Sequence, residues 1–153
     1  MKIRTAEQTD CGTVKAITQG TIHAVYPKYY PAGAVQFFSD HHSDEKIMRD
    51  ISDGTVCLLI TDDGIPAGTV TLTDNEIDRL FVLPEYQGNG FGRALQDLAE
   101  SRIAEQYDTI VLHASLPAKN IYLKRGFKEK DYNTLDTGHG DYLCFDRMEK
   151  RVR

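Results

Sequence analysis

The sequence predicts a mixed β-sheet with helices on its faces, of α/β or α+β class, and three observations lead there. An Asp-Gly turn separates two apolar runs in the first half of the chain, the pattern of an antiparallel hairpin. An amphipathic segment later separates two strand-like runs, a helical crossover that implies parallel pairing. Helical and strand-like periodicities also follow one another with no repeat, low-complexity tract or Pro/Ser-rich linker between them. At 153 residues, the chain suits a single domain, residues 1–153, with a buried core.

Taken in order, Lys2–Thr5 reads as a short strand. Asp10 is a candidate N-cap for a helix in which Val14, Ile17, Thr21 and Val25 recur at helical spacing, with Gly20 as a weak point. The prolines of Tyr26-Pro27-Lys28-Tyr29-Tyr30-Pro31 break that helix. A second helix starts at Pro31 or Ala32 and carries Val35, Phe37 and Phe38. Ser43 caps a third, with Ile47, Met48 and Ile51, which ends at Asp53-Gly54. Strands Thr55–Thr61 and Pro66–Thr73 flank Asp62-Asp63-Gly64, and Thr73-Asp74-Asn75 turns the chain into a strand at Glu76–Val82. Leu95, Leu98, Ala99 and Ile103 mark one face of a helix from Gly90 to about Gln106. A strand at Thr109–Ala114 follows, then a short helix at Pro117–Arg125 stopped by Gly126. Strands near Phe127–Leu135 and Asp141–Met148 flank a turn at Thr137-Gly138-His139-Gly140.

Composition excludes several function classes. Hydrophobic residues at 41% and charged residues at 27% are ordinary for a soluble globular protein. Met1-Lys2-Ile3-Arg4 lacks the apolar run of a signal peptide, and Val56–Ile60 is too short to span a bilayer. A cytoplasmic protein without a membrane partner is expected. A formal net charge of -5 argues against a nucleic-acid partner. The acidic excess lies mostly in residues 1–75 and suits a cationic substrate, while Lys119, Lys124, Arg125, Lys128 and Lys130 form a local basic cluster that suits a phosphate. Both also fit ordinary solvated surface. Cys11, Cys57 and Cys144 give neither a disulfide framework nor a zinc pattern, and Cys57 reads as a small core residue. His41-His42 has no metal-ligand spacing and reads as a solvated helix entry, so no metal is expected.

The chemistry concentrates where a strand hands over to a helix. Gly88, Gly90 and Gly92 alternate there, and glycine lets the backbone approach a ligand closely. The first turn of the following helix leaves N–H groups unpaired at the positive end of its dipole. Together these suit an anion, above all a phosphate, with a plain glycine-rich turn as the alternative. A P-loop needs Lys-Ser or Lys-Thr after the last glycine, and Arg93-Ala94 stands there instead. A dinucleotide fold needs G-x-G-x-x-G and a later acidic residue, and the next strand ends in Leu112-His113-Ala114-Ser115.

In these segments the sequence resembles the Gcn5-related N-acetyltransferases, the GNAT family. The resemblance rests on Leu80-Phe81-Val82-Leu83-Pro84-Glu85-Tyr86-Gln87-Gly88-Asn89-Gly90-Phe91-Gly92 and on Ala118-Lys119-Asn120-Ile121-Tyr122-Leu123-Lys124-Arg125-Gly126-Phe127, where Ile121 replaces the usual aromatic. It is strong over residues 76–127 and weaker outside them. It implies a mostly antiparallel sheet of about seven strands with a central parallel pair, whose splayed ends hold acetyl-CoA. It also implies a bulge near Leu80–Val82 that frees the backbone of Leu80, Phe81 and Val82 for the cofactor arm, with the Val82 N–H on the thioester carbonyl. The amides of Gln87, Gly88, Asn89, Gly90, Phe91, Gly92 and Arg93 would hold the pyrophosphate, and Asn120 would contact the arm. Lys119, Lys124 or Arg125 are candidates for the adenosine phosphates, or simply surface charges.

For catalysis, the resemblance makes Tyr122 the general acid, with hydrogen bonding to the sulfur or plain packing as the alternative. Glu76 lies eleven positions before Gln87, where some relatives carry a catalytic glutamate. Period-two alternation puts Glu76, Asp78 and Leu80 on one strand face. Glu76 is therefore the candidate base, while Asp78, His113 and water remain open, as does simple pairing of either carboxylate with a cation. Tyr26, Tyr29, Tyr30, Phe37 and Phe38 form an aromatic segment that suits an ammonium group, or else covers the sheet or meets a second copy in a homodimer. The expected activity is acetyl transfer from acetyl-CoA to a primary amine of a small molecule or peptide by direct attack. The alternative is an acyl-CoA-binding sensor without turnover.

Overall fold

In the computed structural model, which describes residues 1–153, alternating apolar residues build seven strands. They are β1 (Lys2–Thr5), β2 (Val56–Ile60), β3 (Pro66–Thr73), β4 (Glu76–Val82), β5 (Thr109–Ala114), β6 (Lys128–Asp136) and β7 (Tyr142–Arg151). They form one sheet in the order β1-β2-β3-β4-β5-β7-β6. Only β4 and β5 run parallel, and the expected mixed, mostly antiparallel sheet is the one observed. Five helices cover it: α1 (Cys11–Val25), α2 (Ala32–His41), α3 (Asp44–Ser52), α4 (Phe91–Ala104) and α5 (Lys119–Lys124).

Period two along β2 sends Val56 and Leu58 to one face and Cys57 and Leu59 to the other. The first face packs on α1, α2 and α3 through Val14, Ile17, Ala34, Ile47 and Ile51. The second packs on α4 through Leu95, Ala99 and Ile103. Ser43 caps α3 as expected, its hydroxyl accepting the Lys46 N–H at 3.3 Å. Asp10 is the N-cap residue of α1 as expected, but its side chain makes no capping bond to the helix. Its carboxylate instead accepts the Glu7 N–H at 2.7 Å and two bonds from Arg4, at 2.6 and 2.9 Å. The helix expected from Pro117 begins at Lys119, because the Ser115 carbonyl accepts both the Ala118 and Lys119 N–H groups in a preceding turn.

Two irregularities in β4 shape everything that follows. In the β3–β4 ladder Thr71 faces Arg79 and Leu72 faces Ile77, so Asp78 is an extra residue. The bulge therefore lies at Asp78, ahead of the expected Leu80–Val82. It also breaks the simple alternation. Asp78 and Arg79 both reach α3, through Lys46 and Asp50, whereas Leu80 packs on the core beneath α4. Glu76, Asp78 and Leu80 thus do not share a face.

The second irregularity is a fork. The parallel seam has only two register pairs, Glu76 with Val111 and Ile77 with Leu112. Past them β4 stays on β3 as far as Val82, and β5 stays on β7 as far as Ala114. Gly68 lets α4 press against the sheet beside one arm of the fork. A Cβ at that position would come within 2.9 Å of Leu95 Cδ1 and 3.1 Å of the Phe81 carbonyl oxygen. No helix is long and apolar enough to cross a membrane.

Candidate active site

After β4 the chain makes a 3-10 turn at Pro84–Tyr86 and enters α4 through Gly88 and Gly90, whose φ angles are +79° and +80°. Side chains other than glycine rarely adopt that left-handed region. Two side chains staple the turn: Gln87 Nε2 donates to the Val82 carbonyl at 2.9 Å, and Asn89 Nδ2 donates to the Tyr86 carbonyl at 3.0 Å. Gly90 is the N-cap of α4 and supplies no side chain to it. The amides of the first helical turn, Phe91, Gly92 and Arg93, are left for a ligand at the positive end of the helix. A Cβ added at Gly88 or Gly90 would meet nothing within 4 Å, so the backbone conformation, not crowding, calls for glycine there.

This turn opens into a cleft of about 740 Å³. One wall is the β4 arm of the fork, Leu80 to Val82, and the facing wall is Ser115, Pro117 and Ala118 beyond β5. Thr21, Val25 and Tyr26 from the end of α1 line it as well, as do Tyr122, Lys124 and Arg125 from the α5 region. Among the residues singled out from sequence, Leu80, Phe81, Val82, Gln87, Gly88, Gly90, Gly92, Arg93, Tyr122 and Tyr26 are therefore brought together. Asn89, Phe91 and Asn120 do not line the cleft. Asn89 is spent on the turn, Phe91 packs on the core beneath α4, and Asn120 is exposed. Sequence reasoning missed Ser115, Thr21 and Gln96. Ser115 was recoverable as the first residue beyond β5 on the arm facing Leu80–Val82. Gln96 is buried, with its Oε1 unpartnered in the cleft wall.

The Tyr122 ring meets Phe127 edge-on at 5.7 Å, and desolvation pushes its phenol up to about 12. Burial also raises the Tyr26 phenol, while the Ser115 hydroxyl beside it pulls the other way. Of the basic candidates, Lys119 is tied to Glu129 and to Asp146 at 2.8 Å, and Arg125 to Asp97 and Glu100 at 2.6 and 2.7 Å. Lys124 lines the cleft without an ion pair and is the one free to meet an anion. The aromatic segment is mostly interior. Tyr26, Tyr30 and Phe38 pack with centroids 4.7–5.5 Å apart, and the Tyr30 hydroxyl accepts the Leu116 N–H at 2.7 Å. Tyr29 is half exposed and lies off the cleft. His42 is buried edge-on to Phe81 rather than solvated, and burial drives its pKa down to about 2, so it is neutral.

On the α3 side of the fork's closed end, Glu76 Oε1 lies 2.9 Å from His113 Nδ1, joining β4 to β5. Asp78 pairs with Lys46 at 3.5 Å beside them. His113 holds the Glu76 carboxyl below the usual range, and Glu76 in return raises the His113 imidazole. None of these residues lines the cleft itself. No group of three or more His, Cys, Asp or Glu side chains is arranged to hold a metal ion.

Comparison with known proteins places this geometry. Residues 25–152 match the model of a family described as "Acetyltransferase (GNAT) domain". The peptidyl-lysine N-acetyltransferase YjaB of Salmonella typhimurium is 29% identical over 93 residues, which is 60% of this chain and 63% of that relative, just under two thirds of its length. Among solved structures, a Gcn5-related N-acetyltransferase from Rhodopseudomonas palustris superposes with a TM-score of 0.87 at 25% identity, covering 99% of this chain and 95% of that one. The PaiA N-acetyltransferase of Thermoplasma acidophilum, solved with coenzyme A, gives a TM-score of 0.78 at 21% identity over 99% and 98% of the two chains.

Proposed function

Because the chain belongs to the GNAT acetyltransferase family, we propose that residues 1–153 act as one N-acetyltransferase domain that transfers acetyl from acetyl-CoA to a primary amine of a small molecule or peptide. The observation that carries this reading is the uncapped start of α4 opening into the forked cleft, with Tyr122 on its wall. The turn suits the pyrophosphate of coenzyme A: the left-handed glycines expose the Phe91, Gly92 and Arg93 amides, and Lys124 adds a free cation. Along Leu80–Val82 the strand has lost its partner across the fork, so the backbone groups on that edge, other than the Val82 carbonyl held by Gln87, are available to the amide-bearing arm of the cofactor and to the thioester carbonyl. A preorganised donor at a developing oxyanion contributes roughly 3 kcal/mol.

Transfer requires the acceptor ammonium to lose a proton, its nitrogen to attack the thioester carbon, and the C–S bond to break. The proton leaves toward the Glu76–His113 pair, on the side of the sheet away from α4. Tyr122 faces the departing thiolate. Its phenol, raised to about 12 by burial, stays protonated and donates a hydrogen bond to the developing negative sulfur, whose own proton affinity the same burial raises. Asp78 and Tyr26 flank the route of the acceptor, Asp78 by charge and Tyr26 by its ring in the cleft wall.

The direct test is release of free thiol from acetyl-CoA across a panel of amines that includes lysine peptides, peptide N-termini, polyamines and amino acids. Thiol release that depends on one amine class supports the enzyme. Binding of coenzyme A with no turnover on any amine turns the assignment into an acyl-CoA sensor. Absence of binding removes both.

A further inference from the structure

Two titratable groups bridge the parallel strands at the vertex of the fork, and their geometry divides the labour between them. Glu76 and His113 come from different strands, so the 2.9 Å contact between Oε1 and Nδ1 spans the last register pairs before the sheet opens. A carboxylate only accepts hydrogen bonds, so Nδ1 carries the proton in this contact. In the neutral ring the lone pair is then on Nε2, at the far side of the imidazole. Phe145 stands edge-on to the ring at 5.5 Å and holds its orientation from β7. The His113 side chain is 45% exposed and Glu76 is 33% exposed, so the pair is open on the side facing away from α4.

We propose that the imidazole of His113, through Nε2, takes the proton from the acceptor ammonium, with Glu76 as the positioning residue that fixes its tautomer and holds the resulting imidazolium. The assignment rests on the acetyltransferase reading above. The proton passes from the ammonium nitrogen to Nε2 and the freed nitrogen lone pair forms the C–N bond. The C–S bonding pair leaves with sulfur, the second proton on the attacking nitrogen passes to that departing thiolate as the amide forms, and the half-exposed imidazolium returns the first proton to water. Base strength favours this division. Glu76 is held below an already weak carboxylate base, whereas His113 lies above its ordinary value of 6.5 and is nearer to an ammonium in proton affinity. The other charges facing the pair are Asp78 on β4, which supports the imidazolium, and Arg147 on β7, which opposes it. Lys46 on α3 lowers Glu76, and His41 on α2 lies within reach of the same charges.

The sign of the pH dependence separates the two roles. With His113 as base, wild-type kcat/KM has an acid limb with its midpoint above 6.5. Glu76→Gln moves that midpoint down and keeps part of the activity, a loss of about tenfold. His113→Gln removes the limb and costs about 10²–10⁴-fold. With Glu76 as base, the wild-type midpoint lies below the ordinary carboxyl value of 4.5, His113→Gln keeps most of the high-pH rate, and Glu76→Gln abolishes it. That pattern would overturn the proposal. NMR titration of the His113 ring supplies a readout without turnover: a midpoint above 6.5 that falls in Glu76→Gln is expected, and a midpoint unmoved by that substitution overturns the pairing. Retained coenzyme A binding shows that each variant is folded. Loss of all amine turnover in the wild type fails the acetyltransferase reading, whereas an inverted pH pattern with turnover intact fails only this assignment.

Discussion

At the scale of single residues, the environment of Tyr122 decides what a hydroxyl can contribute. Its phenol, near 12, stays protonated across the whole range in which an acetyltransferase is assayed. Tyr122→Phe is accordingly expected to lower kcat by roughly 10²-fold, by the same factor at pH 6 and at pH 9. A loss that vanishes toward pH 9 would mean that the phenol ionises there, and an unchanged kcat would remove Tyr122 from the reaction. The residues that were legible in the sequence are those whose role is local. Gly88 and Gly90 announce their left-handed backbone by type and spacing, and Tyr122 sits in a block that fixes its helix. Gln96 was not legible, because it matters only through what lies across the cleft, whereas Ser115 was recoverable from its place just beyond β5. The aromatic run was legible as aromatic, and of its open readings the one in which the rings cover the sheet is the one that fits most of it. Tyr30 faces inward, packed on Tyr26 and Phe38, with its hydroxyl accepting the Leu116 N–H from the chain beyond β5.

Among the elements, the contact of α4 with the sheet is the one with least tolerance. Gly68→Ala would place a Cβ within 2.9 Å of Leu95 and 3.1 Å of a backbone oxygen on β4. The side chain can turn aside, but the carbonyl cannot without shifting the strand. Urea unfolding is expected to show a loss of about 1–3 kcal/mol, the usual cost of overpacking, together with weaker coenzyme A binding because α4 carries the turn proposed to hold the pyrophosphate. A variant as stable as the wild type would show that the helix is free to ride outward. Most strands and helices were legible to within a residue or two, since β3, β4 and β5 alternate or run apolar between clear turn signals, though β7 runs three residues past the expected Met148. The bulge at Asp78 was not. One inserted residue leaves no composition mark, yet it returns the following residues to opposite faces and separates Leu80 from Glu76.

For the whole molecule, the fork makes ligand binding and stability one quantity. A ligand bound across both arms at 100 times its dissociation constant adds about 2.7 kcal/mol, or roughly 5–10 °C in Tm for a chain of this size. Coenzyme A is expected to produce that shift in a thermal scan, and its absence would mean that the cleft is not the site. The overall topology was legible because the crossover through α4 forces one parallel pair. The shortness of that pair was not, since the register of a seam is settled by both of its neighbours together. That shortness has a mechanical meaning. Two register pairs divide the sheet into a raft of four strands and a raft of three, stitched by α4 and by the clasp between Glu76 and His113. The line with the fewest strand pairs is thus the line that the proposed cofactor cleft follows, and a cofactor seated there is expected to act as a splint between the two rafts.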